Sequence, residues 1–293
     1  MKKKREIKKA AVLGAGVMGA QIAAHLASSG IEVFLLDIIP PDLSEADRKN
    51  PVARNQFAQK GLDGQVKAKQ SGFMSKIDAE RVRIGNFEDN LEWLKQCDFI
   101  LEAVVENLKI KQDLFKKVTD YWNGEAIVAT NTSGIRLKEI ATALSPEMQN
   151  HFLGIHFFNP VRFMHLCEVI PWAKTKKDIV EFMAYFVERD LGKGVVIAKD
   201  TPNFVANRVG VGGLIYAIRA MVEMGLRIEE ADLVMGPPMG RPKSAMFRTA
   251  DMVGLDTLVH IAHNTAAAVA ALEGADYFKL PEFIEKMVEK KLL

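Results

Sequence analysis

The stretch Lys9-Ala10-Ala11-Val12-Leu13-Gly14-Ala15-Gly16-Val17-Met18-Gly19 carries an apolar run into a glycine-rich turn, and Asp37 closes the next apolar run, Glu32–Asp37. Each glycine in this spacing has its own job. The first makes the tight turn, the second lets a pyrophosphate approach the backbone, and the third lets helix and strand pack closely. The helix that opens at Val17 presents unpaired N–H groups and a positive dipole end to the phosphates. Gly14, Gly16, Val17, Met18 and Gly19 are thus expected to bind a dinucleotide, with Asp37 accepting hydrogen bonds from the adenine ribose hydroxyls. The Asp37 carboxylate repels a 2′-phosphate, and Ile38-Ile39-Pro40 offer no arginine to hold one, so NAD is expected over NADP. The alternative is a glycine turn with no ligand.

Working outward, short apolar runs alternate with helical patterns. Strands are expected at 9–14, 32–37, 82–85, 99–104, 126–131, 154–158, 165–170 and 194–198, with helical patterns at 17–29, 53–70, 91–96, 110–121, 137–144 and 178–189. Such alternation predicts an α/β domain with a Rossmann-type, mostly parallel sheet covered by helices on both faces. The polar segment from Pro40 to Ile77 is too long for a simple loop and is expected to form a helical excursion off the sheet. Strand-like runs stop after Asp200. The patterns at 204–224, 229–234, 244–252, 255–272 and 281–290 then predict a smaller all-α domain. The expected division is an NAD-binding domain over 1–199 and a helical domain over 200–293, for the substrate cleft and dimerisation.

Composition narrows the function classes. Hydrophobic residues make up 48% of the 293 residues and charged ones 26%, as in ordinary globular chains and unlike disordered or collagenous ones. Lys plus Arg exceed Asp plus Glu by 39 − 37 = 2, so bulk positive charge offers no basis for nucleic-acid binding. Cys97 and Cys167 belong to no Cys-x-x-Cys or Cys/His cluster. No metal site and no disulfide framework are expected, and a reducing, cytoplasmic setting is. Met1–Lys9 carries six Lys or Arg residues before an apolar stretch. Three glycines, Gln21 and His25 interrupt that stretch, so it reads as a solvated leader to a buried strand and not as a secretory signal. No run is long and apolar enough for a membrane span.

The second chemical feature lies in His156-Phe157-Phe158-Asn159-Pro160 and His165-Leu166-Cys167-Glu168-Val169-Ile170. If these strands form an antiparallel hairpin turning about Arg162, His156 faces Glu168. A carboxylate beside an imidazole fixes its tautomer and stabilises the imidazolium formed when the ring takes a proton. That equipment suits oxidation of an alcohol, although a structural His–Glu pair has the same spacing. His25, His151, His165, His260 and His263 lack an equally placed acid and are expected to be surface or packing residues.

Over essentially its whole length the chain resembles the L-3-hydroxyacyl-CoA dehydrogenase family, through GAGVMG, EAVVENLKIKQDLF, TNTSG, HFFNPVRFMHLCEVI and KDTPNFVANR. The resemblance implies that His156 is the catalytic base and Glu168 its partner. It also implies that Ser133 and Asn207 hold the substrate oxygen, and that Val104, Val105, Glu106, Lys111, Asn131, Ser133 and Asn159 surround the nicotinamide half of NAD. Read alone, Ser133 and Asn131 are a turn after a strand, and Glu106-Asn107 a helix cap. Asn207 belongs to the helical domain, which implies a site in the cleft between domains. The implied reaction is NAD-dependent oxidation of an (S)-3-hydroxyacyl-CoA to the 3-ketoacyl-CoA and its reversal, as in fatty-acid β-oxidation, by a homodimer. The rivals are a dehydrogenase of small free 3-hydroxy acids and a non-catalytic structural or NAD-sensing member.

The segment GRPKSAMFRTADMVGLDT and the long insert after Asp37 look most like the dehydrogenase portion of members fused to an enoyl-CoA hydratase. Lys60, Lys67 and Lys69 of that insert are candidates for holding CoA phosphates. Against the family pattern the chain is expected to be truncated, since it stops at Lys291-Leu292-Leu293 where a glycine-rich tail usually follows.

Overall fold

A computed structural model describes residues 5–269 and 275–292. The first lysines of the expected leader and the end of the helix predicted to reach Leu272 lie outside the described residues. The chain divides into two compact units, Met1–Thr201 and Pro202–Leu293.

The first unit is built on one sheet of eight strands: β1 (Lys9–Leu13), β2 (Glu32–Asp37), β3 (Val82–Asn86), β4 (Phe99–Glu102), β5 (Ile127–Thr130), β6 (Phe152–Phe157), β7 (Leu166–Pro171) and β8 (Gly194–Ile197). Their order is β3-β2-β1-β4-β5-β6-β7-β8. All pairs are parallel except β6 with β7. The central strands, such as Phe-Ile-Leu-Glu in β4 and Ile-Val-Ala-Thr in β5, are buried on both faces, which explains continuous apolar runs where an exposed face would demand alternation. Strand order reverses between β1 and β4, and the crevice outside the carboxyl ends of strands at such a reversal is where open α/β sheets bind ligands.

Helix α1 (Val17–Ser28) buries Ala20, Ile22, Ala23, Ala24, Leu26 and Ala27. These mostly small side chains let it lie close to the sheet. The approach is closest at Gly19, where an added Cβ would stand 1.8 Å from the Gly14 carbonyl oxygen. Gly14 itself has φ +107°, in the region that only glycine enters freely.

The insert after β2 contains the short turn Pro51–Arg54 and helix α2 (Gln56–Lys67), two helices where a single one over 53–70 was expected. It does not project away from the sheet. Ala58 and Phe73 join the main core, and Gly61 brings α2 so near the glycine turn that an added Cβ would meet the Ala15 carbonyl oxygen at 2.4 Å. Helices α3 (Leu108–Tyr121) and α4 (Lys177–Arg189) cover the sheet further along. Asn107 caps α3 by accepting the Ile110 N–H at 3.1 Å.

The second unit packs α5 (Ala206–Glu223), α6 (Ile228–Val234), α7 (Phe247–Val253), α8 (Leu255–Val269) and α9 (Glu282–Glu289) around its own core. Val211, Ile215, Ile218 and Met221 of α5 meet Met246, Leu258 and Ala262 there. Among the described residues, no helix is long and apolar enough to cross a membrane. Nor do three or more His, Cys, Asp or Glu side chains cluster as metal ligands.

His25, on α1, is a packing residue with a thermodynamic consequence. It is 2% exposed, its Nε2 lies 3.0 Å from the Leu191 carbonyl oxygen, and its Nδ1 has no partner. Burial above all, with the ammonium of Lys193 nearby, lowers its pKa to about 4. In the unfolded chain the ring takes a proton near pH 6.5 while the folded chain still refuses it. Stability is therefore intact above about pH 6.5 and falls as pH drops toward 4, by roughly 3 kcal/mol in all. Urea unfolding of a His25→Gln variant is expected to flatten this dependence. An unchanged slope between pH 7 and 4 would assign the acid sensitivity to other groups.

Candidate active site

The β6–β7 hairpin places His156 opposite Glu168. Antiparallel pairing holds the sum of partner numbers constant, so one turn position sets the whole register. His156 Nδ1 lies 2.7 Å from Glu168 Oε2, with the histidine 5% and the glutamate 0% exposed. Phe158 packs against the imidazole, ring centroids 4.4 Å apart. An imidazole clamped between a carboxylate and an aromatic ring has a defined orientation and tautomer, which a proton carrier needs.

Beside the hairpin lies an ionic network that holds the loop after β5. Glu102, the last residue of β4, is fully buried. Its Oε1 accepts the ammonium of Lys111 at 2.6 Å and the Val104 N–H at 2.7 Å, and its Oε2 accepts the Thr130 hydroxyl at 2.6 Å. Lys111, on α3, also pairs with Glu106 Oε2 at 3.3 Å. Glu106 Oε1 in turn accepts the Thr132 hydroxyl at 2.6 Å and the backbone N–H groups of Ser133 and Gly134 at 3.0 and 2.9 Å. Burial works to raise the Glu106 pKa, but the Lys111 ammonium and the donors of Thr132, Gly134 and Ser133 outweigh it and hold the carboxyl below its ordinary value. Ser133 is therefore positioned by a carboxylate 27 residues away.

The remaining expected residues are also accounted for. Asn131 Oδ1 accepts the Phe157 N–H at 2.9 Å and so ties the end of β5 to the histidine-bearing strand. Asn159 Oδ1 accepts Gln21 Nε2 at 2.9 Å, while Gln21 Oε1 accepts the Val161 N–H at 2.8 Å. Val17 and Val105 are exposed. Asn207 stands in the first turn of α5, in the second unit.

The glycine turn fits a dinucleotide. A Cβ built on Gly16 meets nothing within 4 Å, and no side chain caps the start of α1, so open space fronts N–H groups that lack a helical partner. A cavity of about 370 Å³ lies here, lined by Ala15, Gly16, Val17, Asp37 and Lys60 among others. Asp37 accepts the Ala15 N–H through Oδ2 and the Ile38 N–H through Oδ1, both at 2.6 Å. Of the three insert lysines, Lys60 thus lines the cavity at the glycine turn, whereas Lys67 pairs with Asp63 at 2.8 Å.

Two expectations need amending. His263 does have an acid, with Nε2 2.8 Å from Glu285 Oε1; the partner lies on another helix, and spacing could not show it. Glu102 and Gln21 went unread as site residues. An acid ending an otherwise apolar strand was a usable signal for Glu102, but Gln21 meets its partners only across the fold. Neither cysteine is a nucleophile candidate, since burial pushes the Cys97 thiol up to about 12 and raises that of Cys167 as well.

Comparison with known proteins shows the family. Residues 9–201 match the family model described as 3-hydroxyacyl-CoA dehydrogenase, NAD binding domain, and residues 204–293 match the corresponding C-terminal domain. The "Probable 3-hydroxyacyl-CoA dehydrogenase" of Bacillus subtilis is 45% identical, the alignment covering 98% of this chain and 37% of that protein. The protein of the same name from Deinococcus radiodurans is 44% identical, with 98% and 80% covered. The chain therefore spans well under half of the first relative and most of the second. Among solved structures, (S)-3-hydroxybutyryl-CoA dehydrogenase PaaH1 from Ralstonia eutropha aligns with TM-score 0.78 at 26% identity, covering 98% of this chain and 95% of that one. FadB2 of M. tuberculosis aligns with TM-score 0.77 at 28% identity, covering 97% and 94%. With a glycine turn shaped for NAD in its first unit and both family models matched along its length, the chain belongs to the 3-hydroxyacyl-CoA dehydrogenase family of NAD-dependent oxidoreductases.

Proposed function

We propose that the chain oxidises the 3-hydroxyl of an (S)-3-hydroxyacyl-CoA to the 3-ketone and catalyses the reverse reduction, with His156 as general base and acid. The observation that carries this reading is the buried His156–Glu168 contact at 2.7 Å. NAD, when bound, supplies the hydride acceptor. Gly14, Gly16, Val17, Met18 and Gly19 would hold its pyrophosphate, Asp37 its ribose, and Val104, Val105, Glu106, Lys111, Asn131, Ser133 and Asn159 its nicotinamide half.

In the oxidative direction the imidazole takes the hydroxyl proton. With Nδ1 engaged by Glu168, that exchange falls to Nε2. The Glu168 carboxylate stabilises the positive ring that results, and Ser133 steadies the substrate oxygen. The Ser133 loop, pinned by Glu106, needs little reordering when substrate arrives, which favours productive orientation.

Acetoacetyl-CoA with NADH is the direct test, followed at the NADH absorbance. Turnover supports the reading; turnover of free acetoacetate with none of the CoA ester would replace it by a dehydrogenase of small acids. Asp37→Ala is expected to raise KM for NAD with a smaller effect on kcat, because ribose contacts are made equally in ground and transition states. Equal use of NADP by the wild type would overturn the role given to Asp37. The reading carries with it a cytoplasmic homodimer, which sedimentation of the purified protein checks.

A further inference from the structure

Gln21 interrupts the buried run of Ala20, Ile22, Ala23 and Ala24 in α1 and is itself half-buried. Its amide bridges two residues of the turn that follows β6: Nε2 donates to Asn159 Oδ1 at 2.9 Å, and Oε1 accepts the Val161 N–H at 2.8 Å. We propose that Gln21 is a positioning residue for the cofactor: it fixes which end of the Asn159 amide faces the nicotinamide, so that Asn159 donates a hydrogen bond to the carboxamide carbonyl. This rests on the place given to Asn159 in the function proposed above and adds the direction of its contact.

That direction is dictated by donors and acceptors. A backbone N–H can only donate, so Val161 obliges Gln21 to present Oε1 to it. The Gln21 NH₂ is then the group left for Asn159, which accepts through Oδ1 and keeps its own NH₂ for another partner. Asn159 is exposed, and among the described residues its side chain makes no other hydrogen bond. The Val161 N–H is a firm reference, because the turn is held on both sides of it. Arg162 Nη1 donates to the Ser71 and Phe73 carbonyls at 3.1 and 2.7 Å, and the buried Lys193 ammonium donates to the carbonyls of Val161 and, at 3.0 Å, of Met164. An N–H that cannot swing away keeps the Gln21 amide from flipping. Gln21 also breaks a local rule, a long polar side chain among small apolar ones, and such exceptions mark functional sites. The helix whose first turn meets the pyrophosphate thus sets, one turn later, the polarity at the nicotinamide end.

The test measures by calorimetry the dissociation constants of NADH and of its reduced 3-acetylpyridine analogue for wild type, Gln21→Glu, Asn159→Ala and the double variant. The acetyl group keeps the carbonyl acceptor but lacks the NH₂, so it cannot turn to suit a reversed Asn159. In Gln21→Glu the carboxylate still accepts the Val161 N–H but donates nothing, so Asn159 turns its NH₂ toward it and offers Oδ1 to the ligand. The analogue is expected to bind this variant about tenfold more weakly than wild type, the scale of one lost hydrogen bond, whereas NADH, whose carboxamide can turn, should lose about threefold or less. The added charge acts on both ligands alike and leaves their ratio unchanged. With Asn159→Ala already present, Gln21→Glu should not alter that ratio, because Gln21 acts through Asn159. Equal losses of both ligands in Gln21→Glu, or the same change of ratio without the Asn159 side chain, would overturn the proposal. Wild-type binding of both ligands by Asn159→Ala would overturn it together with the place given to Asn159. A wild type that shows the expected ratios yet leaves the four-carbon ester acetoacetyl-CoA unreduced would fail the reaction proposed above while supporting the role of Gln21.

Discussion

His156→Ala is expected to lower kcat by roughly 10²–10⁴-fold in both directions, the scale of a missing general base. His156 is not among the residues assigned to the dinucleotide, so NADH binding followed by fluorescence should be unchanged. Direction matters in the wild type. Oxidation needs the neutral ring and reduction the charged one, so added base should favour the oxidation rate and added acid the reduction rate. Two rates moving the same way with pH would remove His156 from the proton path. Glu168→Gln keeps a polar group at 2.7 Å from Nδ1 but loses the charge that supports the imidazolium. Its kcat should drop while four-carbon KM stays near wild type. Unchanged kcat would reduce the contact to a structural one.

Lys111→Met carries the largest expected cost in stability. Glu102 and Lys111 are 0% and 1% exposed in their side chains, and two charges so placed are tolerable only together. Removing the ammonium leaves the Glu102 carboxylate buried beside hydrogen-bond donors but without a counter-charge, a loss of about 3–5 kcal/mol. Denaturant unfolding should show it as a shifted midpoint with unchanged slope. Adding Glu102→Gln to the variant should restore much of the loss, since the residues act as a pair. Additive losses in the double variant would mean that the two charges are not coupled. A catalytic effect is expected too. Glu106 loses the ammonium 3.3 Å from its Oε2, so its hold on Ser133 and Gly134 weakens, and KM for the acyl-CoA should rise.

Much of this architecture was readable because its causes are local. The glycine turn follows from steric limits at Gly14 and Gly19 that a few neighbouring residues impose. Doubly buried strands show themselves as unbroken apolar runs, and all eight expected strands are present within two residues at their ends. The His156–Glu168 pairing was open to calculation because a hairpin's register follows from its turn alone. The helix over 137–144 was legible as well, its start at Leu137 included, but not what caps that start, where both carboxylate oxygens of Asp200 accept the Leu137 and Lys138 N–H groups.

What spacing could not supply were contacts whose partners are distant in sequence and whose residue types usually face water. A lysine on a helix and a glutamate ending a strand read as surface charges until the sheet and α3 bury both and bind them to each other. Gln21 looks like a blemish in an apolar helix, yet across 138 and 140 residues it meets Asn159 and Val161. The insert reads as a detached excursion because its sequence is polar, and only the contact of Gly61 with Ala15 shows that one face of it rests on the nucleotide turn. Sequence by itself determined the elements, the glycine turn and the facing of His156 and Glu168, because each depends on steric and hydrogen-bond rules acting over a few residues or one turn. Tertiary structure decided which charges are buried and what holds the Ser133 loop, because burial is a property of packing among elements that no single segment contains.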